Sequence, residues 1–156
     1  MDISRGDGSS LQLKIAGYQF PEVANNEWDS NWLMTHLAVT LPQGSWSVTD
    51  PFLLTYEVGH LADWFDAIAA HEQTENEIGF IEPNLWFEVT NPTGGESCLR
   101  VHFGLECLPP WAVRSGRGAQ DVFADFPLSE IDLHAAAESL RSQLNLYPQR
   151  AAHQVL

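Results

Sequence analysis

Between Lys14 and Arg100 the chain contains no lysine or arginine. The same interval holds thirteen carboxylates, from Glu22 to Glu96, so residues 15–99 carry a formal charge of −13 out of −14 for the whole chain. Recognition of nucleic acid needs cationic side chains at the phosphates, and a surface this poor in them repels a polyanion. The same field attracts a basic protein and speeds the encounter. A basic protein partner is therefore expected, and neither nucleic acid nor a membrane.

Other absences narrow the field further. No run of about eighteen apolar residues exists, which excludes a spanning helix. The start, Met1-Asp2-Ile3-Ser4-Arg5, lacks the basic-then-apolar order of a signal peptide, so a cytoplasmic location is expected. Cysteine is scarce: Cys98 and Cys107 fall in what reads as one strand, about 30 Å apart if extended and pointing to opposite faces. Two reduced thiols are expected. There is no GxSxG, Walker loop or HExxH, and Ser115-Gly116-Arg117-Gly118 is too short to cradle a phosphate. The six histidines include no i, i+4 pair; His60 and His71 stand three helical turns apart, so neither a metal nor a cofactor is expected.

What is present suffices for a core. A chain of 156 residues, 44% hydrophobic, buries roughly 68–70% of its unfolded surface as one domain, taken as 1–156. Leu11, Leu13 and Ile15 alternate with polar residues and predict a strand over 11–16; Leu33, Thr35, Leu37, Val39 and Leu41 predict another over 32–41. Pro42-Gln43-Gly44 predicts a turn into a short return strand with Trp46 and Val48. Leu54, Val58, Leu61, Phe65 and Ile68 then follow the period of an amphipathic helix. Thr55 is its expected N-cap, with Asp50-Pro51 as a competing start.

Strand patterning returns over 78–90, interrupted at Pro83, and over the run Leu99 to Cys107, with a short strand at 121–126. A final helix carries the stripe Leu133, Ala136, Ala137, Leu140, Leu144 and Tyr147. Ser129 with Asp132 has capping-box spacing, and Leu128 with Leu133 has staple spacing. Pro148 stops the helix. The expected class is α+β: an antiparallel sheet of about six strands with two main helices packed on it. The alternative is a β-sandwich with peripheral helices.

Two constellations bear on function. On the polar strand faces, Glu88, Arg100, His102 and Glu106 meet side by side if their strands pair; that is either a hydrolase-like site or a solvated face with cross-strand charge pairs. On the first helix, Asp63 and Asp66 lie opposite the apolar stripe at a spacing where like charges repel. The acids continue through Glu72, Glu75, Glu77 and Glu82. Such a cluster fits either a basic partner's surface or a solubility feature. Tryptophans in polar surroundings (Trp28, Trp32, Trp64, Trp86, Trp111) lean towards an interface.

Several blocks act together as a signature: Gly17-Tyr18-Gln19-Phe20-Pro21, Asp29-Ser30-Asn31-Trp32-Leu33, Asp50-Pro51-Phe52-Leu53-Leu54-Thr55-Tyr56-Glu57 and Glu82-Pro83-Asn84-Leu85-Trp86-Phe87-Glu88. They are followed by Leu99-Arg100-Val101, Pro109-Pro110-Trp111 and Tyr147-Pro148-Gln149-Arg150. Over about residues 11–150 this series resembles the WapI-like immunity proteins of bacteria. The resemblance implies neutralisation of the toxic C-terminal domain of a large secreted toxin, in the founding case a tRNA-cleaving nuclease. A cognate toxin domain held at Asp63, Asp66, Glu72, Glu75, Glu77 and Glu82, with no catalysis by the chain itself, is the leading expectation. A small hydrolase using Glu88, His102 and Glu106 is the second, and an acidic binding module without a toxin partner the third.

Overall fold

The computed structural model describes residues 1–72, 75–115 and 122–151, the side chains of 113–115 aside. Residues 116–118 of the expected Gly/Ser/Arg loop and residue 121 of the expected short strand lie outside them. The α+β class with antiparallel strands holds. Among the described residues the strands number eight and divide into two four-stranded sheets.

The first sheet is a meander of β1 (Asp2–Ser4), β2 (Ser10–Tyr18), β3 (Trp32–Leu41) and β4 (Gly44–Leu54), each pairing with its neighbour. The period-2 pattern does what it predicts: Leu11, Leu13 and Ile15 are buried and Gln12 and Lys14 exposed, while Leu33, Thr35, Leu37 and Val39 are buried on β3. The β3–β4 hairpin turns at Pro42 and Gln43, with Leu41 opposite Gly44. Its return strand is longer than expected and absorbs Asp50-Pro51, the competing helix start. Pro51 is tolerated because β4 is an edge strand, where a missing N–H costs no ladder bond. The register slips beside it: Leu53 faces Leu33 and Pro51 faces Met34, so Phe52 is an extra residue. A bulge of this kind re-aims the side chains that follow, and Phe52, Leu53 and Leu54 are all buried in succession.

Helix α1 (Thr55–Ala69) follows directly. Thr55 is its first helical residue instead of its N-cap. The cap position is Leu54, whose N–H donates to the Glu57 carboxylate at 2.9 Å, and the Thr55 hydroxyl donates to Asn31 at 2.8 Å. The helix buries Val58, Leu61, Ala62, Trp64, Phe65 and Ile68.

The second sheet contains β5 (Glu77–Ile78), β6 (Leu85–Thr90), β7 (Cys98–Phe103) and β8 (Phe123–Pro127), again antiparallel in that order. The expected strand over 78–90 is thus two strands separated by residues 79–84. The expected strand to Cys107 stops at Phe103. Gly104 leaves the sheet, Leu105 takes a left-handed φ of 48°, and Leu105–Cys107 form a 3₁₀ turn. Leu105 is consequently exposed, and the two cysteines are free and buried in different elements.

The short α2 (Pro110–Ser115) precedes β8, and α3 (Leu133–Leu146) closes the described fold. Asp132, not Ser129, caps α3, accepting the Ala135 N–H at 2.9 Å; residues Leu128–Glu130 are a separate 3₁₀ turn. Helices α1 and α3 pack on each other, with Leu144 beside Gly59, where an added Cβ would make ordinary van der Waals contact at 3.8 Å.

One core serves both sheets. Trp46 of β4 meets Phe103 of β7 edge-on at 5.1 Å and donates its indole N–H to the Cys107 carbonyl at 3.0 Å. Trp111 packs on Trp46 at 5.3 Å and lies over Gly44, where a Cβ would come within 3.1 Å of its ring. Phe65 of α1 meets Phe87 of β6 edge-on at 5.7 Å. Among the described residues no helix is long and apolar enough to cross a membrane.

Candidate functional site

The acids of α1 are not all unpaired, as the sequence suggested. Arg141 reaches across from α3 and spans two of them, its guanidinium 2.8 Å from Asp63 and 2.5 Å from Asp66. His134, also on α3, makes a 2.9 Å contact to Asp66 and lies 3.4 Å from Glu138. The like-charge spacing of Asp63 and Asp66 is therefore offset by a cation 75 or more residues away in sequence. Hydrogen bonds from His134 and then Arg141 hold the Asp66 carboxyl below its ordinary range, and Asp66 in turn raises the His134 imidazole. Asp63 remains largely open to solvent on its far side, with a side chain 73% exposed.

The rest of the expected surface is different. Glu72, Glu75 and Glu77 are exposed and Glu82 is half-buried. None of the four lies within ion-pair distance of a cation among the described residues. Glu75 is tied down through its backbone, whose carbonyl accepts the Trp64 indole N–H at 3.0 Å. Glu77 stands directly opposite Glu88 in the β5–β6 pair, an arrangement of like charges that costs stability. Of the six acids expected at the contact, the four without an ion pair among the described residues thus lie from the end of α1 to the start of β6.

The polar face of the second sheet brings together three of the four residues named for it. Arg100 and Glu88 are cross-strand partners, 3.8 Å apart, and His102 Nε2 lies 3.4 Å from Glu88 without hydrogen-bond geometry. Arg100 is instead clamped by Asp125, with two bonds of 2.7 and 2.9 Å, and stacks over Phe123 at 3.9 Å. His102 is sandwiched between Trp86, parallel at 4.5 Å, and Phe123. Glu106 is not there. The turn after Phe103 carries it away, and it accepts a 2.8 Å bond from Asn84. A general base and acid do not converge on a common point, so the face reads as a cross-strand ladder of charges and rings. Among the described residues no group of three or more His, Cys, Asp or Glu could hold a metal ion.

The tryptophans differ in burial in a way the sequence could not show, Trp32, Trp86 and Trp111 being half-buried. Trp46 and Trp64 are buried, and each spends its indole N–H on a backbone carbonyl. Trp28 is 50% exposed, beside Tyr56 at 6.4 Å, with Tyr56 in turn 6.3 Å from His60. With Glu27 and Gln149 these three line an open cleft of about 530 Å³. The helical stripe of α1 places Glu57, His60 and Trp64 together at its edge, yet only Glu57 and Trp64 are buried and His60 faces solvent. Spacing defines an edge; which side of it is covered depends on residues from elsewhere in the chain.

No curated protein and no solved structure matches the chain. A model of the Immunity protein WapI-like family matches residues 2–148, which spans both sheets and all three helices. The blocks that carry the resemblance run through that range, from the Gly17–Pro21 bulge region to the Tyr147–Arg150 segment after α3, whose last two residues lie just beyond it. The chain belongs to the Immunity protein WapI-like family.

Proposed function

We propose that the protein binds the toxic domain of a cognate secreted toxin one to one in the cytoplasm and occludes its active site, without catalysing a reaction. The observation that carries this reading is the family match over nearly the whole chain. The charge distribution supports it. A nuclease domain is basic where it holds its anionic substrate, and a chain with −13 over residues 15–99 is complementary to such a surface. Of the acids proposed as the contact, Glu72, Glu75, Glu77 and Glu82 are the ones with charge to spare; Asp63 offers its exposed side, and Asp66 is largely occupied by Arg141 and His134.

The test is calorimetric titration of the protein with the toxin domain encoded beside it, together with inhibition of that domain's activity. Equimolar binding is expected, with affinity falling steeply between about 50 mM and 500 mM salt. The triple variant Glu72→Lys/Glu75→Lys/Glu77→Lys is expected to slow association and flatten that salt dependence. Failure to bind or inhibit at low salt sinks the reading.

A further inference from the structure

The loop between β2 and β3 holds Trp28 out from the surface on a rigid support. Asn26 Oδ1 accepts the N–H groups of Trp28 and Asp29, both at 2.9 Å, and the Ser30 hydroxyl and N–H return to the Asn26 carbonyl. Asn31, fully buried, donates to the Glu27 carbonyl at 2.7 Å. Arg150 reaches the other end of the loop, donating to the carbonyls of Pro21 and Val23 at 2.9 and 3.0 Å while stacking over Tyr18 at 3.6 Å. The indole N–H of Trp28, unlike those of Trp46 and Trp64, has no acceptor among the described residues. A rigid, half-exposed tryptophan has the properties of an interface anchor, because little side-chain or loop entropy remains to be lost on binding.

The surroundings fix the sign of what fits. Tyr56, His60 and Asp63 lie at i, i+4 and i+7, one strip of α1 facing away from the core. Asp29 is exposed beside Trp28, Glu27 lines the cleft, and Asp63 lies at the far end of the strip. The Tyr56 hydroxyl is held above its ordinary value chiefly by burial, with the Glu57 and Glu27 carboxylates adding to the rise. Among the described residues, Arg150 is engaged with the carbonyls of Pro21 and Val23 and with the Tyr18 ring. The exposed Trp28 ring, packed edge-to-face on Tyr56 with carboxylates close by, selects a lysine or, better, an arginine side chain through cation–π contact.

We infer that the cleft lined by Trp28, Tyr56 and His60 seats a cationic side chain of the toxin domain, making Trp28 the anchor of the complex. This rests on the immunity reading and adds to the acidic surface a fixed, partly apolar point of attachment. Diffuse charge governs how fast the partners meet; a packed anchor governs how slowly they part.

The experiment compares wild type, Trp28→Ala and Tyr56→Leu against the same toxin domain by surface plasmon resonance, with melting curves confirming that each variant is folded. Trp28→Ala is expected to weaken binding by about thirtyfold or more, the scale of a hot-spot residue, almost all of it as faster dissociation. Tyr56→Leu provides a second reading should Trp28→Ala melt early, and is expected to weaken binding by about fivefold or more. If wild type binds and both folded variants bind within twofold of it, the cleft is not the contact and this inference fails while the immunity reading stands. If wild type does not bind, both fail. If wild type is a dimer in sedimentation and Trp28→Ala a monomer, the cleft holds a second copy of the chain and the inference is overturned.

Discussion

The side-chain carbonyl of Asn31 accepts the Thr55 hydroxyl at 2.8 Å in a fully buried setting, fastening the Trp28 loop to the first turn of α1. The same oxygen accepts the Arg150 N–H at 2.8 Å, and the amide nitrogen donates to the carbonyls of Glu27 at 2.7 Å and Arg150 at 2.5 Å. Every polar capacity of one asparagine is used, and three segments distant in sequence meet on it. Replacing Asn31 by Ala leaves several buried groups without partners, so a loss of about 2–4 kcal/mol is expected. Asn31→Asp keeps the shape but turns a donor into an anion facing two carbonyls, and is expected to be no better. Urea denaturation of the two variants measures both losses; a cost under about 0.5 kcal/mol for Asn31→Ala contradicts this account.

The bridge from α3 to the α1 acids has a pH signature. The His134 imidazole is raised by its bond to Asp66 and by Glu138, so the stability it contributes is complete below its ordinary value of 6.5 and is lost as pH rises through the raised one. Asp66 is lowered by His134 and Arg141, so its contribution is present above 3.8 and lost as pH falls through the lowered value. The helix pair is best held between those two limits. His134→Gln is expected to flatten the decline in stability as pH rises above 6.5 while leaving the acid limb intact. Because the groups are largely solvent-screened, Arg141→Gln is expected to cost only about 1 kcal/mol or less at low salt. Melting curves across the pH range, at two salt concentrations, measure both.

The fold was most legible where the residues acted alone. Alternation gave β2 and β3, and helical spacing gave α1 and α3, because each element buries one face whatever lies beyond it. Elements decided by a single backbone event were misread. A left-handed Leu105 ends β7 early, and β4 runs past the Phe52 bulge, absorbing Asp50-Pro51, the competing helix start. The site fared likewise. The acid excess and its concentration are countable, but Arg141 lies far along the chain from Asp63, so local sequence could not show the pairing. Glu88, Arg100 and His102 meet because their strands pair as expected, whereas Glu106 is displaced by the same turn that misled the strand assignment. Trp28 and Trp64 both stand among polar neighbours in sequence; only the tertiary fold exposes one and covers the other.

The two thiols should be silent in the native state. Burial pushes Cys107 up to about 12 and raises Cys98 as well, with Asp125 and Glu96 adding to the rise at Cys98. Relative to an ordinary thiol, Cys107 then holds roughly a thousandth of the thiolate at neutral pH, and the thiolate is the nucleophile. Titration with a disulfide reagent at neutral pH is expected to detect fewer than one fast-reacting thiol in the folded protein and two in denaturant. Fast native reaction at Cys107 contradicts the packing of the 3₁₀ turn against Trp46.

Glu57 provides the sharpest test of how burial and charge balance in this chain. The residue is 6% exposed, and its carboxylate accepts the N–H groups of Leu54 at 2.9 Å and Ile81 at 2.7 Å, pinning the start of α1 to the segment before β6. Both bonds favour the anion, yet desolvation outweighs them and raises the acid above its ordinary value of 4.5. The folded state therefore binds the proton more tightly than the unfolded chain. Stability from this group is present at acid pH and falls as pH rises from 4.5 through the raised value. Glu57→Gln stays neutral throughout, retaining an acceptor for one N–H and presenting an amide to the other. Subtracting its stability from that of wild type cancels the other titrating groups. That difference is expected to move in favour of wild type on going from pH 7 to pH 5, as read from urea midpoints at matched ionic strength. A flat difference means that the two backbone bonds balance desolvation, and one that moves the other way means that they outweigh it and that Glu57 stabilises the fold as an anion.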